Sequence, residues 1–150
     1  MPRQVAVEAL HTLAGQEVGV SAWVEVTQAR VNLFADATGD HQWIHVDVER
    51  ATREMGGPIV HGYLTLSLVA VFAADILEVT GVERALNYGC NKVRFPHMVR
   101  VGKRLRMRQT VLAVEPRSGG IQVVSECAVE IEGETRPACV AETVVLYYAA

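Results

Sequence analysis

Asp40 and His45, in the segment GDHQWIHVD, are the pair of residues with the clearest chemical use in this chain. A carboxylate beside an imidazole supplies a base and the group that orients it, so the two could share a proton or hold one water molecule. A step of five residues is about 500° on a helix, roughly 140° off a common face, and an odd step on a strand points to opposite faces. The pair can therefore meet only where the backbone is irregular. Gly39 can supply that turn by ending a helix in a left-handed conformation.

A second candidate feature is the dipeptide His61-Gly62, which opens the most apolar segment of the chain, YLTLSLVAVFAADILEV. In the first turn of a helix the backbone N–H groups have no partner within the helix, and a glycine lets a ligand approach them closely. An amide of this kind could bind the negative oxygen that develops on a thioester carbonyl, which in other enzymes is worth roughly 3 kcal/mol of barrier. The sequence therefore predicts proton-transfer groups in one loop and an anion site at Gly62.

Two helices are expected to hold the first loop in place. Thr27 is placed to cap a helix that runs to Ala37, with Val31 and Phe34 on its inner face. Asp47 can cap a short helix, VERATREM, which the following Gly-Gly-Pro ends. The Asp40 to His45 turn would then lie between two short helices.

The segments before Thr27 are predicted to be one helix and one strand. Val5 to Leu13 suits a short amphipathic α-helix. SAWVEVT alternates in polarity and suits a strand.

The second half of the chain predicts four strands. They are expected at Arg84 to Phe95, Lys103 to Val114, Gly120 to Ile131 and Pro137 to Tyr148. The preceding helix is hydrophobic nearly all round from Leu64 to Ala74, so it must be covered on most sides, and only these strands can cover it. The predicted fold class is α+β, a long central helix wrapped by a curled antiparallel sheet, known as the hot-dog fold. Free sheet edges favour pairing, so a homodimer is expected.

Length and composition favour a single domain over residues 1-150. Half of the 150 residues are hydrophobic, which argues against disorder. The net charge of −3 offers no general attraction to nucleic acid or to a membrane. The apolar stretch from Pro58 to Val79 is interrupted by His61, Asp75 and Glu78, which favours a buried helix over a membrane span.

Cysteine usage points to a reducing compartment. Cys90, Cys127 and Cys139 are odd in number and lack CxxC spacing, so reduced and mostly buried thiols are expected. The first residues, MPRQVAVEALHTLAGQ, have no sustained apolar core or cleavage site of a secretory signal. We therefore expect a cytoplasmic location.

Several segments of the chain resemble those of a known protein family. The segments FADATGDHQWIHVD and PIVHGYLTLSL resemble the MaoC-like dehydratase family, which includes (R)-specific enoyl-CoA hydratases. GDHQWIH together with NYGCNKVRFP is similar to the nodulation protein N-like branch of that family and to related mycobacterial hydratases. The likeness extends over nearly the whole chain. It implies a hot-dog dimer that adds water to trans-2-enoyl-CoA to give (R)-3-hydroxyacyl-CoA. This reaction requires no metal and no redox cofactor, and CoA is part of the substrate.

On matching positions, the resemblance implies that Asp40 and His45 are the catalytic pair and that the Gly62 N–H binds the thioester oxygen. Two departures from the family pattern bear on this site. Gln42-Trp43 stands where Asn-Pro is usual, and the bulky Trp43 is expected to change the size of the acyl pocket. Ala70 stands where some relatives have a serine that bonds the catalytic carboxylate, so Asp40 needs another partner or none.

Four more residues are candidates for substrate binding. His61 is expected to brace the loop or to contact the substrate. Asn87, Asn91 and Arg94 could line the substrate channel or pair within the sheet.

Basic residues recur from Lys92 to Arg108 without an acid among them, and Arg104 and Arg106 share one face of a strand with Arg108. This stripe is either a solvated outer face or a cationic patch for the phosphates of CoA. Nucleic acid is a poorer partner, because the chain as a whole is acidic.

Two other functions remain open. A hot-dog acyl-CoA thioesterase also uses a carboxylate and an anion site at a helix start. A non-catalytic protein could keep the fold and hold acyl thioesters without turnover. Release of free thiol would identify hydrolysis, whereas loss of the enoyl group without thiol would identify hydration.

Overall fold

A computed structural model describes residues Met1 to Ala150 and contains one large antiparallel sheet with helices packed against it. The four predicted long strands are confirmed with small shifts at their ends. They are Val82–Arg94 (β5), Arg104–Arg117 (β6), Gly120–Ile131 (β7) and Cys139–Ala149 (β8). Each pairs antiparallel with its neighbour in the order β6, β7, β8, β5, so β5 forms an edge of the sheet.

The strand predicted for SAWVEVT is confirmed only at Val24–Glu25 (β3). A separate strand, Glu17–Val20 (β2), precedes it, and both pair with β6. Side-chain hydrogen bonds hold the intervening backbone. The Ser21 hydroxyl accepts from the Met107 N–H at 2.9 Å, and the Ala22 N–H donates to the Asp75 carboxylate at 2.7 Å. These contacts replace a regular strand ladder between β2 and β3.

The α-helix predicted for Val5 to Leu13 is also corrected. Arg3–Ala6 is a strand (β1), and a 3-10 helix spans Val7–Leu13. Val7, Leu10 and Leu13 are almost fully buried. Their spacing of three matches the three-residue turn of a 3-10 helix, so this conformation points all three side chains into the core.

The two helices predicted around the Asp40 loop are confirmed with their caps. Gln28–Thr38 (α1) begins where the Thr27 hydroxyl accepts from the Arg30 N–H at 3.2 Å. Val48–Met55 (α3) begins where Asp47 accepts from the Arg50 N–H at 3.0 Å. Between them lies a single helical turn, Trp43–Val46 (α2).

The central helix is shorter than expected and is interrupted. It consists of Gly62–Ser67 (α4) and Val69–Ile76 (α5), and Leu77–Thr80 is a strand (β4) that pairs parallel with β1. The helix therefore ends at Ile76 rather than Val79, because the last predicted turn supplies the pairing partner of β1. At the interruption the Ser67 hydroxyl donates to the Tyr63 carbonyl at 2.7 Å, a side-chain bond that competes with helical pairing.

The core lies between the central helix and the inner face of the sheet. Leu64, Phe72 and Ile76 of the helix belong to one buried cluster with Met107 and Val111 of β6. The other side of the helix is open, since Tyr63 is 72% exposed and Val71 is 50% exposed. A single chain therefore covers the apolar helix on one side only. No helix is both long and apolar enough to span a bilayer.

Candidate active site

Asp40 follows α1 after Gly39, which caps the helix in a left-handed backbone conformation. Gly39 has φ of +80° and closes the helix with an N–H bond to the Ala35 carbonyl. The turn presents Asp40 to solvent, and its Oδ1 accepts from the Gln42 N–H at 3.3 Å. This backbone amide orients one carboxylate oxygen, which gives Asp40 a partner although Ala70 cannot supply a hydroxyl.

His45 lies in α2 and is buried, with 6% of its surface exposed. Its Nδ1 lies 2.6 Å from the carbonyl oxygen of Ile59, so Nδ1 carries the hydrogen and donates it. The Gln28 side-chain amide donates to the His45 carbonyl oxygen at 2.8 Å. Both ends of the residue are therefore held, and Nε2 is left with a lone pair.

His61 is the N-cap of α4 and is 2% exposed. Its Nε2 lies 3.0 Å from the backbone carbonyl oxygen of Asp40. Its ring stacks on that of His45, with centroids 3.8 Å apart and 25° between the planes, and its far side meets the Phe34 ring at 4.9 Å. The structure thus brings Asp40, His45 and His61 together from three separate segments.

The separation of the Asp40 carboxylate and the His45 ring nitrogen is the geometry that decides what this cluster can do. One carboxylate oxygen and one nitrogen of each histidine lie within 4.8 Å of one another. Two groups that each lie about 2.8 Å from the same water, at a tetrahedral angle, are separated by about 4.6 Å. A separation within this limit is compatible with one water molecule between the Asp40 carboxylate and a ring nitrogen of His45.

Burial sets the protonation state of His45. Removal of the ring from water lowers the pKa of His45, and the neighbouring His61 acts in the same direction, against the opposing effects of the Ile59 carbonyl and the Asp40 carboxylate. The neutral imidazole is therefore favoured at neutral pH. A neutral ring with a free Nε2 can accept a proton.

The same cluster offers three potential metal ligands, but its geometry is unfavourable. A metal ion lies close to the plane of each imidazole that binds it, about 2.1 Å from the nitrogen. Because the rings of His45 and His61 are stacked and nearly parallel, their nitrogens point along separate planes. A single ion cannot satisfy both in this arrangement.

Gly62 lies beside His45 in the wall of a cavity of about 250 Å³. As the first residue of α4, its N–H has no acceptor within the helix. A Cβ at this position would lie 3.2 Å from the Phe95 ring, so only a glycine leaves that ring its full space. The remaining wall is mostly apolar and includes Thr65 and Met98.

Phe95 is a site residue that the sequence reasoning missed. It follows β5 directly, is 40% exposed and lines the same cavity with its ring against Gly62. No local pattern marks it, since an aromatic residue at a strand end usually belongs to the core. Only its pairing with a glycine more than thirty positions earlier indicates a role.

A second cavity, of about 200 Å³, lies between the central helix and the sheet. Asn87 and Ala70 line it together with Cys90 and Cys127. Burial raises the pKa of the Cys127 thiol to about 11, so this thiol is not a nucleophile at neutral pH. Of the predicted sheet residues, Asn87 lines this cavity, and Arg94 lines a separate one of about 260 Å³ with Lys92 and Glu126.

Three other predicted substrate contacts have partners outside the cluster of Asp40, His45 and His61. Trp43 is half-buried beneath the guanidinium of Arg50, 4.1 Å from the ring centroid. Asn91 donates to the Glu142 carboxylate at 2.7 Å. Arg94 donates to the carbonyl of its neighbour Val93 at 2.7 Å. Within one chain, these three side chains do not reach the cavity beside His45.

The arginine stripe on β6 is neutralised by carboxylates. Arg104 pairs with Glu132, and Arg106 pairs with Glu130 at 2.7 Å. Arg108 bridges Glu130 and Glu17 at 3.1 and 2.7 Å. The structure supports the solvated outer face and does not support a free cationic patch at these three positions.

Comparison with known proteins places the chain in a family. The MaoC like domain matches residues 10–132. The chain is 51% identical over 142 residues to 3-hydroxyacyl-thioester dehydratase Z of Mycobacterium tuberculosis, covering 93% of this chain and 94% of the relative. It is 39% identical over 147 residues to nodulation protein N of Rhizobium meliloti, covering 95% and 91%.

A solved structure supports the same assignment at the level of the fold. R-Hydratase PhaJ1 from Pseudomonas aeruginosa superposes with a TM-score of 0.70 at 21% identity, covering 91% of this chain and 83% of that one. The fold is accordingly the hot-dog fold that the strand pattern predicted. The chain belongs to the MaoC-like dehydratase family, as the resemblance indicated, and its relatives include the nodulation protein N branch.

Proposed function

We propose that this chain is an (R)-specific hydratase of trans-2-enoyl-CoA that forms (R)-3-hydroxyacyl-CoA. The observation that carries the proposal is the approach of the Asp40 carboxylate to a ring nitrogen of His45 within 4.8 Å, a distance that one bridging water can span, while Nδ1 of His45 is held by the Ile59 carbonyl. The similarity to a relative named 3-hydroxyacyl-thioester dehydratase supports it, because dehydration of that thioester is the reverse reaction.

In the proposed reaction Asp40 and His45 hold and activate one water. The β-carbon, C3, of an enoyl thioester is electrophilic because the carbonyl accepts the displaced electron pair as an enolate. The water oxygen bonds to C3 while the pair removes one of its protons. The C2–H bond then forms as that proton is returned to C2 on the same face, so neither base nor acid is consumed.

Gly62 is proposed to stabilise the enolate oxygen. Its amide opens α4 beside His45 and has no acceptor within the helix, so its N–H is available to donate to the thioester oxygen. The apolar cavity walls, including Phe95 and Met98, would hold the neighbouring part of the substrate and keep other water molecules away.

We also propose that the active form is a homodimer. Nearly the whole of β5 is exposed, including Leu86 at 46% and Tyr88 at 58%. The open face of the central helix, with Val71, is likewise apolar. A second copy that covers these surfaces would remove a free sheet edge and could bring Asn91 or Arg94 of one copy to the site of the other.

The test is an assay of the purified chain with crotonyl-CoA and longer trans-2-enoyl-CoA substrates. We expect loss of the enoyl absorbance, no release of free thiol, and a 3-hydroxyacyl product of R configuration on chiral analysis. Thiol release would show a thioesterase instead. Tight binding without either reaction would show an acyl-thioester-binding protein, and an S product would refute the stereochemical assignment.

A further inference from the structure

His61 is buried, with 2% of its surface exposed, whereas Asp40 is exposed to solvent. Neither residue is in the wall of the cavity that His45 and Gly62 line. His61 contacts both members of the catalytic pair, through a 3.0 Å hydrogen bond to the Asp40 backbone and a 3.8 Å ring stack on His45. Its contacts are therefore with the catalytic residues themselves.

The hydrogen bonds assign its tautomer. A backbone carbonyl oxygen only accepts, so Nε2 of His61 carries the hydrogen that it donates to Asp40. Nδ1 is buried and has no partner, and a second hydrogen there would be left without an acceptor. His61 thus donates through Nε2–H, whereas His45 donates through Nδ1–H.

The Asp40 backbone depends on this contact. The other hydrogen bonds around the turn join Asp40 to its near neighbours, at 3.4 Å from its N–H to Thr38 and 3.3 Å from Gln42 to its carboxylate. His61 supplies the link of Asp40 to a distant segment, twenty-one residues along the chain. Without it, the turn would keep its local bonds, which run through Gln42 to the His45 N–H at 3.0 Å, but would lose its hydrogen bond to the segment that begins α4.

We propose that His61 is a positioning residue for the hydration reaction, which anchors the Asp40 backbone through Nε2–H and supports the His45 ring by stacking, and that it does not contact the substrate. This inference rests on the proposed function for its kinetic consequences. The anchoring itself is a property of the free chain and is testable without turnover.

The donor and the stack can be separated by substitution. His61→Gln places an amide N–H at the same number of bonds from the backbone as Nε2, so it keeps the donor and loses the ring. His61→Asn is similar in polarity but one bond shorter, so it loses both contacts. His61→Phe keeps a ring against His45 and Phe34 but has no donor.

We expect His61→Asn, which loses both contacts, to lower kcat at least ten-fold with KM changed less than two-fold. His61→Gln and His61→Phe, which each keep one contact, should retain more of kcat. The amide NMR signals of Asp40, His41 and Gln42 in the substrate-free chain should shift in the Asn and Phe variants and stay near wild type in Gln. If Phe does not fold, the Gln and Asn pair makes the same comparison.

Three results would overturn the inference: wild-type kcat in the folded Asn variant, an equal loss of kcat in Gln and Asn, or a change confined to KM. If the wild-type chain does not hydrate enoyl thioesters, the proposed function fails, but the NMR comparison still decides whether His61 anchors Asp40. Unchanged amide signals in the Asn variant would then reject the anchoring.

Discussion

The imidazole of His45 donates its Nδ1 hydrogen to the carbonyl oxygen of Ile59 across 2.6 Å. This bond fixes the tautomer as well as the orientation of the ring, because the carbonyl can only accept. Nε2 is therefore the nitrogen available for proton transfer. A backbone carbonyl here takes the role that a carboxylate often has in orienting a catalytic histidine.

Replacement of either member of the pair should strongly lower the rate of hydration without unfolding the chain. Asp40→Asn keeps the shape and the Gln42 contact but removes the negative charge, and His45→Gln removes the base. General acid–base catalysis typically contributes about 10²- to 10⁴-fold, so we expect kcat with crotonyl-CoA to fall by that range. Circular dichroism would check the fold, and wild-type rates in both folded variants would remove the assignment.

The acid limb of the pH profile should lie below the usual range for histidine. Burial lowers the pKa of His45, so the neutral base persists as the pH falls below about 6.5, and kcat/KM is lost only through the lower folded value. As the pH falls, the His45 ring is protonated in the unfolded chain at a higher pH than in the folded chain. The free energy of unfolding therefore also decreases as the pH falls below about 6.5. Measurement of kcat/KM and Tm against pH would test both.

A matched control for the pH experiment is His41→Ala. His41 is exposed, and a hydrogen bond to Asp36 raises its pKa. It lies next to Asp40 in sequence but outside the cluster, so the acid limb should not move. If the His41→Ala substitution moves the acid limb of the kcat/KM profile, the limb reports protonation of His41 and the assignment to His45 is wrong.

The role of the Gly62 amide can be tested by removing its hydrogen. Proline is tolerated at the first position of a helix, and the preceding His61 has φ of −57° and ψ of 133°, which suits a residue before proline. Because any side chain meets Phe95, the comparison is best made in a Phe95→Leu background. We expect Gly62→Pro to lower kcat by about 10²- to 10³-fold relative to Gly62→Ala in that background. Equal rates would exclude the amide as an oxyanion donor.

The arginine stripe should not contribute to recognition of CoA. Arg104 and Arg108 are already paired with Glu132, Glu130 and Glu17. We expect Arg104→Gln and Arg108→Gln to leave KM for crotonyl-CoA within about two-fold of wild type, because exposed and paired charges offer little to a further anion. The prediction would be contradicted if either variant raised KM for crotonyl-CoA but did not raise KM for a crotonyl thioester that lacks the nucleotide.

The proposed dimer predicts a difference between two exposed leucines. Leu86 lies on the edge strand β5 and is 46% exposed, whereas Leu112 lies on β6, inside the sheet, and is 41% exposed. Leu86→Lys should shift the chain from dimer to monomer in sedimentation experiments, because it places a charge in the proposed interface. Leu112→Lys should leave the dimer intact. A monomeric wild-type chain would refute the interface.

The amino-acid pattern alone predicted the long strands, the caps of α1 and α3 and the turn at Gly39, because each depends on residues that are neighbours along the chain. It overestimated the length of the central helix. Nothing in the apolar run up to Val79 indicates that the residues after Ile76 form a strand paired with β1. It also missed the 3-10 helix, whose three-residue spacing of Val7, Leu10 and Leu13 fits an α-helix nearly as well.

The sequence by itself determined which groups are available for chemistry: an acid, an imidazole and a glycine before an apolar helix. Only the tertiary structure decided how they act. The bonds from His45 to Ile59 and from His61 to Asp40 join segments fourteen and twenty-one residues apart, and Phe95 reaches Gly62 from the end of β5. Such contacts depend on how helices and sheet pack, and packing joins residues between which the local pattern carries no information.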